Sequence, residues 1–273
     1  MYDLKRTKST PEASAEYAQF LGDVFDNDQL FTAEYIDWLY RQNPQGPVVG
    51  FDAIFEGEVV AHYVTIPVSA KIDGQVEKGL LSLNTATSPE HTGKGLFTKL
   101  ATATYQAGAD EGYKFVVGVA NQNSTHGFVK KLGFELVRPL DARIGFMGPY
   151  KATKDADFKM HWDEASLQWR LNKPSANYWA EETGYFAKTP YPLTRVFLGS
   201  GSSKASNSSF KKAFALFDLE IGLSEEGRSG LSFEIPKALR PSPLNLIFKD
   251  LTESRRSLKD KSIRFQAMDF DAF

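Results

Sequence analysis

Apolar positions along the chain keep two rhythms, and the switches between them lay out helices and strands. Tyr17, Phe20, Leu21, Val24 and Phe25 stand three or four residues apart, the spacing that places side chains on one helical face. Just before them, Thr10, Pro11 and Glu12 supply an N-cap, a first-turn proline and an acidic first turn, so a helix is expected there after a short strand-like opening. A second helix is expected over about 32–41, stopped by Asn43 and Pro44. Over 48–87 the rhythm becomes extended: VVGFDAIF, VVAHYVTIPVSAKI and GLLSLNTAT are separated by Glu56-Gly57 and Asp73-Gly74. Asp-Gly suits a type I′ turn, which needs positive φ at both central residues, so these segments predict an antiparallel meander.

Helical spacing returns over about 95–110, with Leu96, Phe97, Leu100, Thr104 and Ala107 on one side. FVVGVA is short and continuously apolar, the mark of a buried strand. Another helix is expected over about 124–132, with Gly133 as its C′ residue. Strand, two helices, antiparallel strands, helix, strand, helix, strand is the order of an α/β (α+β) sheet with helices on its faces. Beyond Tyr150 the pattern loosens: 163–171 reads as helix, 190–198 as turn and strand, and GSGSSKASNSS (199–209) as a surface loop. FALFDLEIGL, LSFEIP and RFQAMDF are further strand candidates. Trp38 precedes Asn43 and Pro44 much as Trp169 precedes Asn172 and Pro174, each after a short helix. The unequal spacings favour coincidence; a true duplication would make the C-terminal part a degenerate copy of the N-terminal one. Two domains are expected, 1–148 and 149–273.

The 273 residues can bury one large core or two small ones, and 42% hydrophobic with 24% charged residues exclude disorder over most of the length. Lys and Arg number 32 against 34 Asp and Glu, a net charge of -2, so no broad basic field invites nucleic acid. With Cys 0, a disulfide, a thiolate zinc site and a cysteine nucleophile are excluded, which suits a reducing compartment. The 4 His are scattered and no helix pairs two of them at ligand spacing, so no metal is expected. Neither an apolar signal core at the start nor a bilayer-length apolar run is present, so a cytoplasmic protein without a membrane partner is expected. Oligomeric state leaves no trace in the sequence.

The stretch NTATSPEHTGKGLFTKLA concentrates the chemistry. A strand ends, a turn with two glycines follows and a helix starts at once, so backbone N–H groups converge at the positive end of a helix dipole, a phosphate-binding geometry. Glycines let the backbone come close to an anion and Lys94 adds charge, although neither GxxxxGK[ST] nor GxGxxG is matched. One strand and one helix later comes NQNSTHGFVKKLGF. Together with TGKGLF, it resembles the GNAT superfamily, the Gcn5-related N-acetyltransferases that use acyl-coenzyme A. In that family's pyrophosphate loop, Arg/Gln-x-x-Gly-x-Gly/Ala, Thr92 takes the Arg/Gln place, Gly95 the first Gly place and Phe97 the last, with Gly93 and Lys94 at variable positions. An Asn after the fifth strand and a helix ending in Lys-x-Gly-Phe are matched by Asn121 and by Lys131, Leu132, Gly133 and Phe134.

The resemblance covers roughly 1–148 and implies the GNAT fold, a mostly antiparallel mixed sheet whose central strands splay. It implies acetyl- or another short acyl-coenzyme A as donor, with Ala86 and Thr87 pairing to its pantetheine arm. Thr92, Gly93, Lys94, Gly95, Leu96 and Phe97 would hold the pyrophosphate, and Asn121, Asn123 and Ser124 would line the other side. The usual general-acid Tyr is replaced by Val129, and the fourth strand offers Ser82 and Asn84 with no acid. Asn84 is a candidate to orient the nucleophile or the thioester carbonyl, and His62 and His126 are candidates for proton transfer. The layout is also similar, more distantly, to GNAT proteins of surface-polysaccharide synthesis, some of which acylate nucleotide-linked amino sugars. Trp38, Tyr40, Arg41, Trp169 and Arg170 are then candidates to stack on or pair with such an acceptor. Peptide, lysine or antibiotic amines are alternative acceptors, and a catalytically silent coenzyme A-binding module is the non-enzyme alternative.

Overall fold

The computed structural model describes residues 1–146, 155–201, 214–224 and 231–271. Strand β1 (Asp3–Arg6) is followed by helices α1 (Pro11–Phe25) and α2 (Ala33–Tyr40). Each helix starts at a threonine: Thr10 accepts from the Ala13 N–H and Thr32 from the Tyr35 N–H, satisfying donors the first turn leaves open. Ala13, Tyr17, Ala18 and Leu21 form the buried stripe of α1, whereas Phe25, expected on it, is exposed and stacks on Phe31. The meander is β2 (Val49–Phe55), β3 (Glu58–Ile72) and β4 (Gln75–Thr87), all antiparallel. Both its turns have positive φ at both central residues: 53° and 94° at Glu56 and Gly57, 48° and 87° at Asp73 and Gly74. Helix α3 (Leu96–Asp110), strand β5 (Phe115–Ala120), helix α4 (Gln122–His126) and strand β6 (Glu135–Pro139) come next. The helix expected over 124–132 changes winding midway: Gly127–Lys131 is a π-helix, closed by Gly133 at φ 68°.

The remaining elements are β7 (Asp141–Phe146), β8 (Phe158–Met160), helix α5 (Glu164–Leu171), β9 (Tyr178–Glu181), β10 (Gly184–Lys188), β11 (Thr194–Gly199), β12 (Phe217–Gly222), β13 (Ser232–Glu234), β14 (Asn245–Asp250) and β15 (Ile263–Arg264). Nine strands make the first sheet, in the order β1-β2-β3-β4-β5-β14-β6 with β8 on β3 and β15 on β8; six make the second, β13-β7-β12-β11-β10-β9. The sheets therefore do not divide the chain at residue 148. Composition reports sequence neighbours, while a sheet is closed by whichever strand pairs: β7 crosses into the second sheet and β14 returns to fill the gap between β5 and β6. Of RFQAMDF only its first residue belongs to a strand, and Ala267–Asp269 form a 3-10 turn. Most of the expected 199–209 loop lies outside the described residues. Among the described residues no helix is long and apolar enough to cross a membrane.

The two sheets share one pairing order. β2, β3 and β4 are antiparallel, β4 and β5 parallel, and β14 and β6 antiparallel beyond; β9, β10, β11, β12, β7 and β13 repeat that sequence of pairings. Each half lends the strand that completes the other. The two tryptophans stand on this near-symmetry. Trp38 and Trp169 stack with centroids 4.4 Å apart and planes at 15°, and each indole N–H donates to the other's backbone carbonyl at 3.0 Å. The echo that unequal spacing marks as coincidence is a reciprocal contact of α2 with α5. Two cores flank the first sheet: Ile36, Leu39, Leu81, Val117 and Phe248 pack on the α1–α2 face, and Leu80, Leu100, Tyr105, Val116 and Phe128 on the α3 face.

Candidate active site

β4 and β5 pair only over Leu80–Val116, Leu81–Val117 and Ser82–Gly118, although β4 continues to Thr87 and β5 to Ala120. The bend originates at Asn84, whose φ of 45° marks an extra residue in β4: its register with β3 shifts between His62 and Val64. Such a bulge bends a strand and re-aims its side chains. Before it, Leu81 and Leu83 pack against the α1–α2 core, and after it the even-numbered Ala86 does. β4 stays paired to β3 through Ala86–His62 and Thr87–Ala61, and its other edge has no partner strand among the described residues from Leu83 onward. The result is a wedge between β4 and β5.

The glycine turn lies beyond the end of β4. Gly93 and Gly95 both have φ 74°, and a Cβ on either would meet nothing within 4 Å. Glycine is required there by conformation, not by space. Gly95 is the N-cap of the 15-residue α3 and makes no side-chain cap, so the helix's first N–H groups face the turn uncapped by a side chain. Leu96 is buried beneath the turn, leaving only its backbone toward it, and Thr92 turns its hydroxyl onto the Pro89 carbonyl at 2.9 Å. Lys94 Nζ lies 5.8 Å from the Tyr2 ring centroid. Phe97, bulky where a small residue was expected, is accommodated by edge-to-face packing on Phe128 and Tyr63 at 5.4 and 5.8 Å. Across the wedge, Asn121 Oδ1 accepts from the Asn123 and Ser124 N–H groups at 3.0 Å each and Ser124 Oγ accepts from the Asn121 N–H. These side chains cap α4, so Asn121 Oδ1 and Ser124 Oγ are engaged by the helix.

Behind the bulge runs a buried polar chain. Asp52 accepts from Thr7 Oγ1 at 3.0 Å, from Tyr17 OH at 2.6 Å and from His62 Nδ1 at 2.6 Å. His62 Nε2 meets Tyr40 OH at 2.9 Å, and Asn84 Nδ2 donates to the same hydroxyl at 3.1 Å. Burial first, and then the Asp52 charge, hold both phenols well above the usual tyrosine range, so both remain hydroxyls. Of the expected catalytic residues, the orienting candidate Asn84 and the proton-transfer candidate His62 are brought together through Tyr40, whereas His126 is exposed at the end of α4 and takes no part in this chain. His62 is wholly buried with both ring nitrogens engaged, which removes it from direct contact with an acceptor. Asp52 and Tyr17 escaped the sequence reading. The available signal was a lone acid inside the apolar run VVGFDAIF, a position that burial tolerates only with donors around it. On the other face, Ser82 Oγ bonds Tyr63 OH at 2.8 Å, which in turn bonds Tyr105 OH.

The acceptor residues expected from the aromatics do not form a site. Trp38 and Trp169 are consumed by each other, Tyr40 belongs to the buried chain, and Arg41 pairs with Asp37 at the end of α2. Arg170 is buried, donating to the Met268 carbonyl and Tyr178 and pairing with Asp271. The rings of Trp38 and Tyr40 and the Arg170 charge are thus buried in packing, whereas Arg41 is exposed. A different cleft, of about 410 Å³, is lined by Arg138, Pro139, Leu140, Asp141, Leu223, Ser224, Glu234, Lys237 and Arg240. Its Pro139 is linked to the end of β5 through Asn245, which pairs with both Ala120 and Pro139. Arg138 Nε is buried without a hydrogen-bond partner among the described residues.

A family model described as an acetyltransferase (GNAT) domain matches residues 7–137. The chain carries a GNAT acetyltransferase domain. The protein is therefore a transferase of the N-acyl type, which moves an acyl group from coenzyme A to an amine. The matched GNAT residues end at Val137, before β14, the strand that completes its sheet. No curated protein matches the chain by sequence. Among solved structures, it is similar to a conserved protein of unknown function from Enterococcus faecalis V583, "Probable N-Acyltransferase", with 12% identity, a TM-score of 0.59, and 92% of this chain and 73% of that one covered. A GCN5-related N-acetyltransferase from Anabaena variabilis ATCC 29413 gives 12%, 0.61, 92% and 73%. Eis1 from Mycobacterium abscessus gives 10%, 0.57, 90% and 73%. At such identities the likeness is one of fold, and it spans both sheets. Among the described residues no group of three or more His, Cys, Asp or Glu is placed to hold a metal ion.

Proposed function

We propose that the protein binds acetyl- or another short acyl-coenzyme A in the β4–β5 wedge and acylates the amino group of a nucleotide-linked amino sugar. The observation that carries the donor site is the parting of β4 from β5 beyond Ser82 and Gly118 next to the uncapped first turn of α3. The free edge of β4 at Ala86 and Thr87 pairs with the amides of the pantetheine arm, and the backbone of Gly93 to Phe97 with Lys94 meets the pyrophosphate. Asn123 flanks the opposite side. The amine nitrogen bonds to the thioester carbon, the C–S bond breaks, and the proton lost by nitrogen ends on sulfur; a thiolate leaves without an acid at Val129. The acceptor class is supported by the cleft at β6, where Arg138 and Lys237 supply donors for a diphosphate, the Arg240 guanidinium being held by the Ile235 and Leu140 carbonyls and Glu234.

Acetyl-coenzyme A is expected to raise the unfolding temperature by mass action, and free thiol is expected with a nucleoside-diphosphate amino sugar as acceptor. No thermal shift with any acyl-coenzyme A overturns the donor site. Thiol release only with peptide, lysine or aminoglycoside amines reassigns the acceptor, and binding without release across the whole panel makes the domain a silent coenzyme A-binding module.

A further inference from the structure

The buried chain from Asp52 to Asn84 has a direction, and one residue sets it. A carboxylate only accepts, so the His62 Nδ1 that lies 2.6 Å from Asp52 carries a proton. Tyr40, kept as a hydroxyl by its burial, has a single proton, and among the described residues the groups within hydrogen-bond reach of its oxygen are His62 Nε2 and the Asn84 amide. With Asn84 presenting Nδ2 to that oxygen, the Tyr40 proton goes to His62 Nε2, which is therefore the bare nitrogen of the ring. Donation then runs one way throughout: Asn84 to Tyr40, Tyr40 to His62, His62 to Asp52. The end of the Asn84 amide not committed to Tyr40 is Oδ1, which has no hydrogen-bond partner among the described residues and belongs to a half-exposed residue on the bulge where β4 leaves β5.

We propose that Asp52, acting through His62 and Tyr40, is a positioning residue that fixes the polarity of Asn84 so that Oδ1 accepts an N–H of the attacking amine. The role rests on the N-acyltransferase reading. It selects between the two tasks open to Asn84: an oxygen turned to the wedge aligns a nucleophile, whereas an NH₂ group there would have polarised the thioester carbonyl. Replacing the carboxylate by an amide, as in Asp52→Asn, removes the rule. The new amide could donate to Nδ1, His62 could carry its proton on Nε2, Tyr40 could then donate to Asn84, and the Asn84 amide would reverse. A substitution three residues away along the chain of hydrogen bonds would thus change the chemistry offered to the substrate without touching it.

The test has a spectroscopic and a kinetic arm. In ¹⁵N-labelled protein, His62 should show a protonated Nδ1 and bare Nε2, and Asp52→Asn should move the proton to Nε2; Tyr40→Phe should leave Nδ1 protonated. With a turned-over amine, Asp52→Asn and Tyr40→Phe should each lower kcat about ten- to hundredfold with KM for acetyl-coenzyme A unchanged. Neither should lower kcat further once Asn84→Ala is in place, because they act only through Asn84. Equal losses with and without Asn84 overturn the proposal, as does an Nε2-protonated His62 in the wild type. If Asp52→Asn does not fold, the Tyr40→Phe and Asn84→Ala cycle decides. Absence of turnover with every amine defeats the transferase reading instead, and the tautomer measurement then still decides whether the chain has the stated direction.

Discussion

The two sheets follow the same course of strands and part company at the seam between their parallel pair. In the first, β4 and β5 pair no further than Ser82 and Gly118. In the second, β11 and β12 pair from Thr194–Phe217 to Phe197–Glu220, and the space beyond is taken by the chain's own C-terminal segment. A Cβ on Gly199 would sit 2.7 Å from Met268 Sδ, one on Gly222 2.2 Å from the Phe265 carbonyl oxygen, and Leu223 bridges to Phe265. Ala267 and Met268 are buried there. One pairing order thus parts at its parallel pair in one half and closes over a packed core in the other. The fold supplies the seam; what enters it decides its use.

The contrast can be broken most sharply at the glycines. Gly222→Val should cost about 3 kcal/mol or more, because a side chain meets a backbone carbonyl at positive φ, and thermal unfolding should show it without loss of the acetyl-coenzyme A-dependent shift. Gly95→Val should do the reverse: about 1–2 kcal/mol of strain in an open turn, but a roughly hundredfold weaker donor, measured by calorimetric titration. Asp269, in the plugging segment, sharpens the comparison through pH. Burial, opposed by donors from Gln266 N–H and Trp162, raises its carboxyl to about 6. A raised folded value means stability present at low pH and lost on going up from about 4 through 6, on the order of 2–3 kcal/mol. Asp269→Asn should flatten that slope in urea-unfolding series and leave donor binding unaltered. The smallest effect tests the near-symmetry: Trp38→Phe and Trp169→Phe each delete one of two equivalent hydrogen bonds and should cost the same, about 1 kcal/mol.

Local chemistry was legible wherever the chain's neighbours decide conformation. The threonine cap of α1, the Asp73–Gly74 turn and the glycine turn into α3 all stand where their residue types placed them. The π-winding after α4 was not legible, since the apolar spacing of a helix does not distinguish α from π over one turn. The acceptor aromatics were misread for a similar reason: a tryptophan that packs against another tryptophan has the same local sequence as one that awaits a ligand.

By itself the sequence determined the mixed α/β class, the meander, the turn that presents backbone N–H groups and the GNAT resemblance, because each depends on contacts between residues a few positions apart. Tertiary structure alone decided the exchange of β7 and β14, the polar chain linking Thr7, Tyr17, Tyr40, Asp52, His62 and Asn84, and which of the two seams is filled. Those features join residues tens to hundreds of positions apart. Strand pairing and the burial of a charge are settled by which distant partners can satisfy them together, and no local pattern carries that information.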